Sequence, residues 1–527
     1  MQGEKKDIRP AEKAKRNSIK LNYTVYSTLV IIKNMSLKYN LLKDPKETKT
    51  IFVPCFSESL NSKSFDKSYS FVGFKISNKV SSYGFEGTFM EKLTILAAGK
   101  DNDIDIVFIG LGKRKDLDYE KVFKAFSSIT YNETQKKYTD EAITIIYPDN
   151  FSKKFIETSL DGINNGHYVF DKYKSKKSNI ADKTINLVLN KVGKSLFNKI
   201  IKKSLEKFQG VNLTKDLVNE QPLVLTPEAL ANVAKNIGKF SNITCKVYDK
   251  KEILKRKMLG LWDVGKGSSN LPRFIHLKYK SKTFSKSSKK IALIGKGVTY
   301  DSGGLSLKPA DYMVTMKMDM AGAGCVLGVF EALGRLQPKN LEVHGLIPSV
   351  ENMPGPNAYK PDDIVKGLSG KTIEVINTDA EGRVILSDAI EYANRLKVDQ
   401  MIDLATLTGA CMIALGNYTA GLFSNDNKLT EALLRSSKEA GEKLWQLPLD
   451  EELRTEIDSN IADIKNAGST RYGGAITAAM FIQFFVKDIP WSHLDIAGPA
   501  YIERKRNWTA PGATGYGVRT LLNYLKV

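Results

Sequence analysis

The sequence predicts an α/β protein of two domains: a smaller N-terminal α/β domain, and a larger C-terminal domain with a mostly parallel sheet flanked by helices. Three observations carry this. From about residue 290 onward, short apolar runs alternate with stretches of helical periodicity. An isolated run, IDIVFIG at 104–110, is followed by a glycine turn and then a helical pattern, a second βα unit far upstream. Between the two halves, residues 190–208 show the apolar spacing of a helix. Strands alternating with helices bury both faces of a parallel sheet.

Taken in order, residues 1–20 form a basic, flexible tail with no apolar periodicity. Residues 21–32 are an apolar run of core type. Residues 104–110 read as a strand, 111–113 as a strand-to-helix turn, and 119–128 as a helix. The Gly-x-Gly-Lys of that turn lacks the spacing of a phosphate-binding loop. Residues 171–183 are rich in Lys and Ser and are expected on the surface. The helix over 190–208 links the halves, which divides the chain into 1–20, 21–208 and 209–527. In the second half, strands are expected at 290–294, 341–348, 372–376, 398–404 and 491–496, and helices at 316–336, 384–396 and 429–440. The apolar stretch 475–486 is a further core segment.

Composition sets limits. The chain has 527 residues, 42% hydrophobic and 26% charged, which excludes a wholly disordered or fibrous protein. No apolar run approaches the ~20 residues that span a bilayer, so no membrane partner is expected. The formal charge is +21, concentrated at the front: residues 1–215 carry 39 Lys and Arg against 24 Asp and Glu. A basic surface attracts polyanions. These lysines are scattered, without interleaved aromatics, so nucleic acid is not the expected partner. Cys55, Cys245, Cys325 and Cys411 lie far apart and form no Cys-x-x-Cys pair, which fits a reducing, cytoplasmic setting. Acidic residues Glu4, Asp7 and Glu12 among the early lysines argue against a transit peptide.

Chemistry concentrates in three glycine-rich segments at expected strand ends: GKGVTYDSGG at 295–304 continuing to Lys308, MKMDMAG at 316–322, and NTDAEGR at 377–383. In open α/β sheets, functional groups collect just past the carboxyl ends of strands. The segments offer four carboxylates: Asp301, Asp319, Asp379 and Glu381. Crowded carboxylates repel each other, and two divalent cations would remove that cost. His167, His276, His344 and His493 show no His-x-x-x-His spacing, so a histidine-built metal site is not expected. Taken singly, each segment has an ordinary explanation as a turn or a helix cap. Taken together, with Lys296, Lys308 and Arg383 beside them, they do not.

With these residues in place, the chain resembles the leucine aminopeptidase family of dinuclear-metal exopeptidases. NTDAEGR at 377–383 is its most specific signature. Supporting matches are DLVNEQP at 216–222, GKGS at 265–268, FIHL at 274–277, ENM at 351–353, SGK at 369–371, DLATLTG at 403–409, GGAIT at 473–477 and HLDIAG at 493–498. The resemblance covers about three-fifths of the chain and is weak in the N-terminal region, the family's assembly and regulatory domain.

The resemblance implies a catalytic C-terminal domain and a set of roles. Lys296, Asp301, Asp319 and Glu381 would hold the tighter metal. Asp301, Asp379 and Glu381 would hold the more exchangeable one, so that Asp301 and Glu381 bridge. The ions expected are Zn2+, or Mn2+, Mg2+ or Co2+ at the exchangeable site. Lys308 would steady the oxyanion, and Arg383 would hold a bicarbonate acting as general base. Met316, Thr406, Gly409 and Ala497 would line the specificity pocket, while Asn377 and Leu407 would position substrate. The implied reaction is release of N-terminal, leucine-like residues from short peptides by attack of a metal-bridging hydroxide. The implied assembly is a homohexamer. The alternative carried beside it is an additional nucleic-acid-binding role through the basic N-terminal region.

Overall fold

The computed structural model describes residues 37–43, 48–60, 62, 66, 76–97, 103–135, 140–177, 182–189, 192–285 and 288–527. The basic tail and the apolar run at 21–32 lie outside them.

The chain forms two α/β domains. The first holds a six-stranded sheet, ordered Leu37–Leu42, Lys183–Val188, Ala142–Ile146, Thr50–Cys55, Ile104–Gly110 and Lys92–Ala97. All its neighbours are parallel except the last edge strand. The expected strand at 104–110 is there, and the helix after it runs Tyr119–Thr134, capped by Asp118 accepting from the Lys121 amide at 2.8 Å. Lys183 corrects the surface expectation for 171–183: it opens a strand, is buried, and pairs with buried Glu133 at 3.1 Å.

The second sheet has nine strands. Eight run in the order Lys443–Gln446, Thr419–Ser424, Trp491–Asp495, Gln400–Ala405, Lys289–Gly295, Leu341–Asn352, Arg273–Lys280 and Ile243–Tyr248. The ninth, Gly297–Asp301, pairs with the far end of Leu341–Asn352. The central four strands are parallel. Alternate residues of Lys289–Gly295 face opposite cores, Ile291 and Leu293 on one side, Ala292 and Ile294 on the other. The helix Ala321–Leu336 covers the first face and Glu381–Leu396 the second.

Two expectations change here. Residues 316–336 are not one helix. A 3-10 turn at Met316–Met318 ends at Asp319, and the α-helix starts at Ala321; Thr315 at φ +74 and Met320 outside helical geometry break the run. The strand expected at 341–348 continues to Asn352, buried along its whole length. By composition alone Ala310–Leu336 is long and apolar enough to cross a membrane, but 72% of its most apolar window is buried inside the protein.

The linking helix runs Lys194–Asn219 as one piece, and the boundary placed at 208/209 falls within it. Phe197 and Ile200 belong to the first domain's core, and Phe208, Val211, Leu217 and Val218 to the second's. It crosses Ala321–Leu336 at Gly210 and Gly328. A Cβ on Gly210 would stand 2.1 Å from the Gly328 carbonyl oxygen, so only glycine permits this approach. The four cysteines are free.

Candidate metal centre

The sheet's strand order reverses between Lys289–Gly295 and Gln400–Ala405, and the site lies just past their carboxyl ends. Lys296 is the first residue beyond the former and Thr406 the first beyond the latter. Asp301 ends the short strand Gly297–Asp301, and Glu381 opens the helix Glu381–Leu396. The broken helix at 318–321 carries Asp319 to the same place.

Lys296 is buried at 3% exposure, with Nζ 2.8 Å from Asp319 Oδ1 and 2.8 Å from Glu381 Oε1, and it donates to the Thr406 carbonyl at 3.1 Å. Lys308 Nζ stands 2.9 Å from Asp301 Oδ2 and also pairs with Asp379 Oδ1. Each ammonium group thus bridges two carboxylates. Asp301, Asp379 and Glu381 each offer an oxygen within 4.8 Å of the others.

Electrostatics follow from that crowding. Burial first, then the neighbouring Asp301, pushes the Asp379 and Glu381 carboxyls above the ordinary range, while the lysines pull them back. Asp319 is pushed up by burial against the pull of Lys296. Burial alone would lower the two lysines. Asp319, Glu381 and Asp301 outweigh it at Lys296, and Asp301, Glu381 and Asp379 at Lys308, so both are raised. Arg383 is buried, pulled down to about 10 by desolvation, with Glu381 and Asp495 resisting.

The residues fit a divalent cation. Asp319 Oδ2 and Arg383 Nε are buried and have no hydrogen-bond partner among the described residues. Four carboxylates against two lysines and one arginine leave the cluster short of positive charge. A donor set of carboxylate oxygens with one amine nitrogen suits hard or borderline divalent ions.

The other expected residues divide into those joined to this cluster and those beside it. Thr406 donates its hydroxyl to Asp319 Oδ1 at 2.7 Å. Asn377 Oδ1 accepts from the Asp379 amide at 2.8 Å. The Leu407 and Ala497 amides both donate to Asp495 Oδ1 at 3.2 Å, which places the two together. Gly409 is exposed at the start of the helix Gly409–Leu415, with open space where a Cβ would lie. Met316 is half-buried against the first core.

Three supporting residues went unassigned in the sequence. Asn352 donates to Asp301 Oδ1 at 2.8 Å and to the Thr378 carbonyl at 3.0 Å. Tyr359 donates to the same carbonyl at 2.8 Å. Asp495 also accepts from the Thr408 hydroxyl at 2.7 Å, holding the 406–408 loop. Asn352 and Asp495 sit inside motifs the sequence displays, which was the available signal; Tyr359 offers none. His276 and His344, distant in sequence, meet at 2.9 Å across neighbouring strands, far from these carboxylates in the chain.

The chain is similar to known proteins over most of its length. The family model described as "Cytosol aminopeptidase family, catalytic domain" matches residues 212–522, and that for the family's N-terminal domain matches 53–177. The chain is 45% identical over 444 residues to a probable cytosol aminopeptidase of Aquifex aeolicus (strain VF5), covering 84% of this chain and 88% of the relative. It is 38% identical over 496 residues to one of Clostridium perfringens (strain 13 / Type A), covering 92% and 98%. Among solved structures, the bottromycin maturation enzyme BotP in complex with Mn matches with a TM-score of 0.79 at 30% identity, covering 91% of this chain and 99% of that one.

Proposed function

Since the chain belongs to the cytosol aminopeptidase family, we propose that this metal-dependent aminopeptidase uses two divalent ions to release leucine-like N-terminal residues from short peptides. The observation that carries the reading is the pair of ammonium groups at the sheet's switch point: Lys296 lodged between buried Asp319 and Glu381, and Lys308 between buried Asp301 and half-buried Asp379. They mark two places where positive charge is held.

Lys296, Asp319, Asp301 and Glu381 would hold one ion, and Asp301, Asp379 and Glu381 the other. The relative solved with Mn supports a divalent ion. When bound, such ions supply a water acidic enough to attack at neutral pH and a polarised scissile carbonyl. Lys296 must give up its raised proton to bind as an amine. Lys308 stays charged and, freed from Asp301 and Asp379, donates to the oxygen on which negative charge develops. Arg383 would hold a bicarbonate, which would accept a proton, a role supported by its buried Nε, which has no hydrogen-bond partner among the described residues. Thr406 fixes Asp319, and Asp495 fixes the loop of Leu407 and Thr408 together with Ala497. With Met316 and Gly409, these shape the space for the leaving residue's side chain. The homohexamer and the cytoplasmic location accompany the same reading, the latter supported by the name the relatives share.

The test is to strip the protein with a chelator and reload it with Mn2+, Co2+ or Zn2+. Activity on leucyl, alanyl and glutamyl fluorogenic substrates should vanish and return with the ion, leucyl first. Full activity in the stripped protein would remove the proposal.

A further inference from the structure

We infer that Asn466 is a positioning residue for the 377–381 carboxylate loop, its side-chain amide serving as the next rung of a strand ladder that the backbone leaves. This rests on Asp379 and Glu381 holding metal.

The strand Ile464–Lys465 runs parallel to Thr372–Glu374, with Ile373 opposite Ile464 and Glu374 opposite Lys465. The Asn466 amide adds one more bond, to the Glu374 carbonyl at 2.9 Å. There the backbone pairing stops, yet the facing chain still carries polar groups toward the loop. The Asn466 side chain meets them. Its Oδ1 accepts from the Ile376 amide at 2.8 Å and the Asn377 amide at 3.2 Å. Its Nδ2 donates to the Asn377 carbonyl at 2.7 Å and reaches the Ala380 carbonyl at 3.5 Å. A primary amide offers the acceptor and donors of a peptide group, so it can continue a ladder. Asn466 is 0% exposed, so no bulk water replaces those bonds if they are lost.

The near end of the same ladder is held separately. Asp463 accepts from the Thr372 amide at 2.7 Å and its hydroxyl at 2.9 Å. Asn466 therefore serves the loop end. From it the restraint passes to Asn377, whose Oδ1 accepts from the Asp379 amide at 2.8 Å, and so to the backbone that aims Asp379 and, two residues on, Glu381. Asn466 itself touches neither carboxylate through any hydrogen bond described above.

The test compares Asn466→Ala and Asn466→Asp with Ile464→Ala, a buried residue of the same short strand that packs into the core and makes no polar side-chain contact with the loop. Three quantities are read: Mn2+ affinity of chelator-stripped protein by competition with a chromophoric chelator, the Tm of the metal-free protein, and kcat and KM at saturating Mn2+. Groups that orient a metal's ligands change affinity or activity by about 10–100-fold when removed. Asn466→Ala is expected to bind Mn2+ weaker by that factor and to lose kcat, with KM within about twofold. Asn466→Asp keeps the acceptor and loses the donors, so it should also bind more weakly than the parent, and it carries the test if the alanine variant does not fold. Ile464→Ala should lower Tm and keep the parent's affinity. Parental affinity and kcat in both Asn466 variants would overturn the inference, whatever their Tm. So would an equal loss in Ile464→Ala, because loosening of the ladder would then suffice. A parent that binds no Mn2+ removes the metal reading and this inference with it.

Discussion

Gly382→Ala adds a single methyl group directly against the Lys296 side chain. An ideal Cβ at 382 would stand 2.7 Å from both Cε and Nζ of Lys296 and 2.9 Å from its Cδ. Comfortable carbon contacts are about 3.5–4.0 Å, so the lysine tip must retreat by about 1 Å. It cannot do so without leaving Asp319 and Glu381, each 2.8 Å away. The stability change is small by comparison. Overpacking a core costs ~1–3 kcal/mol. Alanine in place of glycine returns up to ~1 kcal/mol of helix propensity. The net loss is then about 0–3 kcal/mol. A misplacement of about 1 Å at a reacting centre can cost ~10² in rate. The signature is therefore a protein that melts close to the parent yet loses metal and turnover. Calorimetry on the stripped protein, elemental analysis after dialysis, and kcat/KM on a leucyl substrate measure the three parts. A variant with the parent's metal content and turnover within about threefold would refute the role given to Lys296.

Lys308→Ala should lower kcat by ~10²–10³ with bound metal unchanged and KM little altered, since the lost donor acts on developing charge; turnover near the parent's would remove Lys308 from the chemistry. Asp379→Ala should lose metal and activity while far-UV circular dichroism stays that of the parent, and retention of the full metal complement would contradict the ligand set. His167 offers a stability test outside the site. It is buried, neither ring nitrogen has a partner among the described residues, and burial, then Lys183, holds its pKa near 4 against an ordinary 6.5. The folded protein therefore resists a proton that the unfolded chain accepts. Stability from this residue is complete above about pH 6.5 and is lost as pH falls toward 4, by about 3 kcal/mol in all. Urea unfolding of His167→Phe and the parent at pH 7, 5.5 and 4.5 should show a difference that grows in the variant's favour on acidification; a constant difference would rule this out.

The cluster of carboxylates and lysines was legible because its residues sit at junctions between periodic patterns. Lys296 follows an apolar strand and Glu381 opens a helix, so a change of period marked both. Asp319 was legible as a residue but not in its placement. Apolar spacing runs through 316–336, and only the left-handed backbone at Thr315 and the non-helical Met320 show that the helix starts later. The extension of the strand to Asn352 was hidden for a related reason. Burial on both faces removes the alternation that dates a strand's end. Asn352, Tyr359 and Asn466 act across 19 to 90 residues through side-chain hydrogen bonds. Such contacts leave no period in the chain, and only the fold brings them together.

The helix Lys194–Asn219 spans about 39 Å. Its front half is set in one core and its back half in the other, pinned where Gly210 meets Gly328. The two domains share this beam, so neither can be lifted out whole. Severing the chain at 208/209 would leave two fragments at or below the ~12–15 residues at which isolated helices hold in water. The first fragment would also bare Phe208, which packs into the other domain's core. Modularity ends at this joint. Any grafting, truncation or domain exchange in this protein must carry the entire helix with the catalytic half and supply the first domain with a replacement for Phe197 and Ile200.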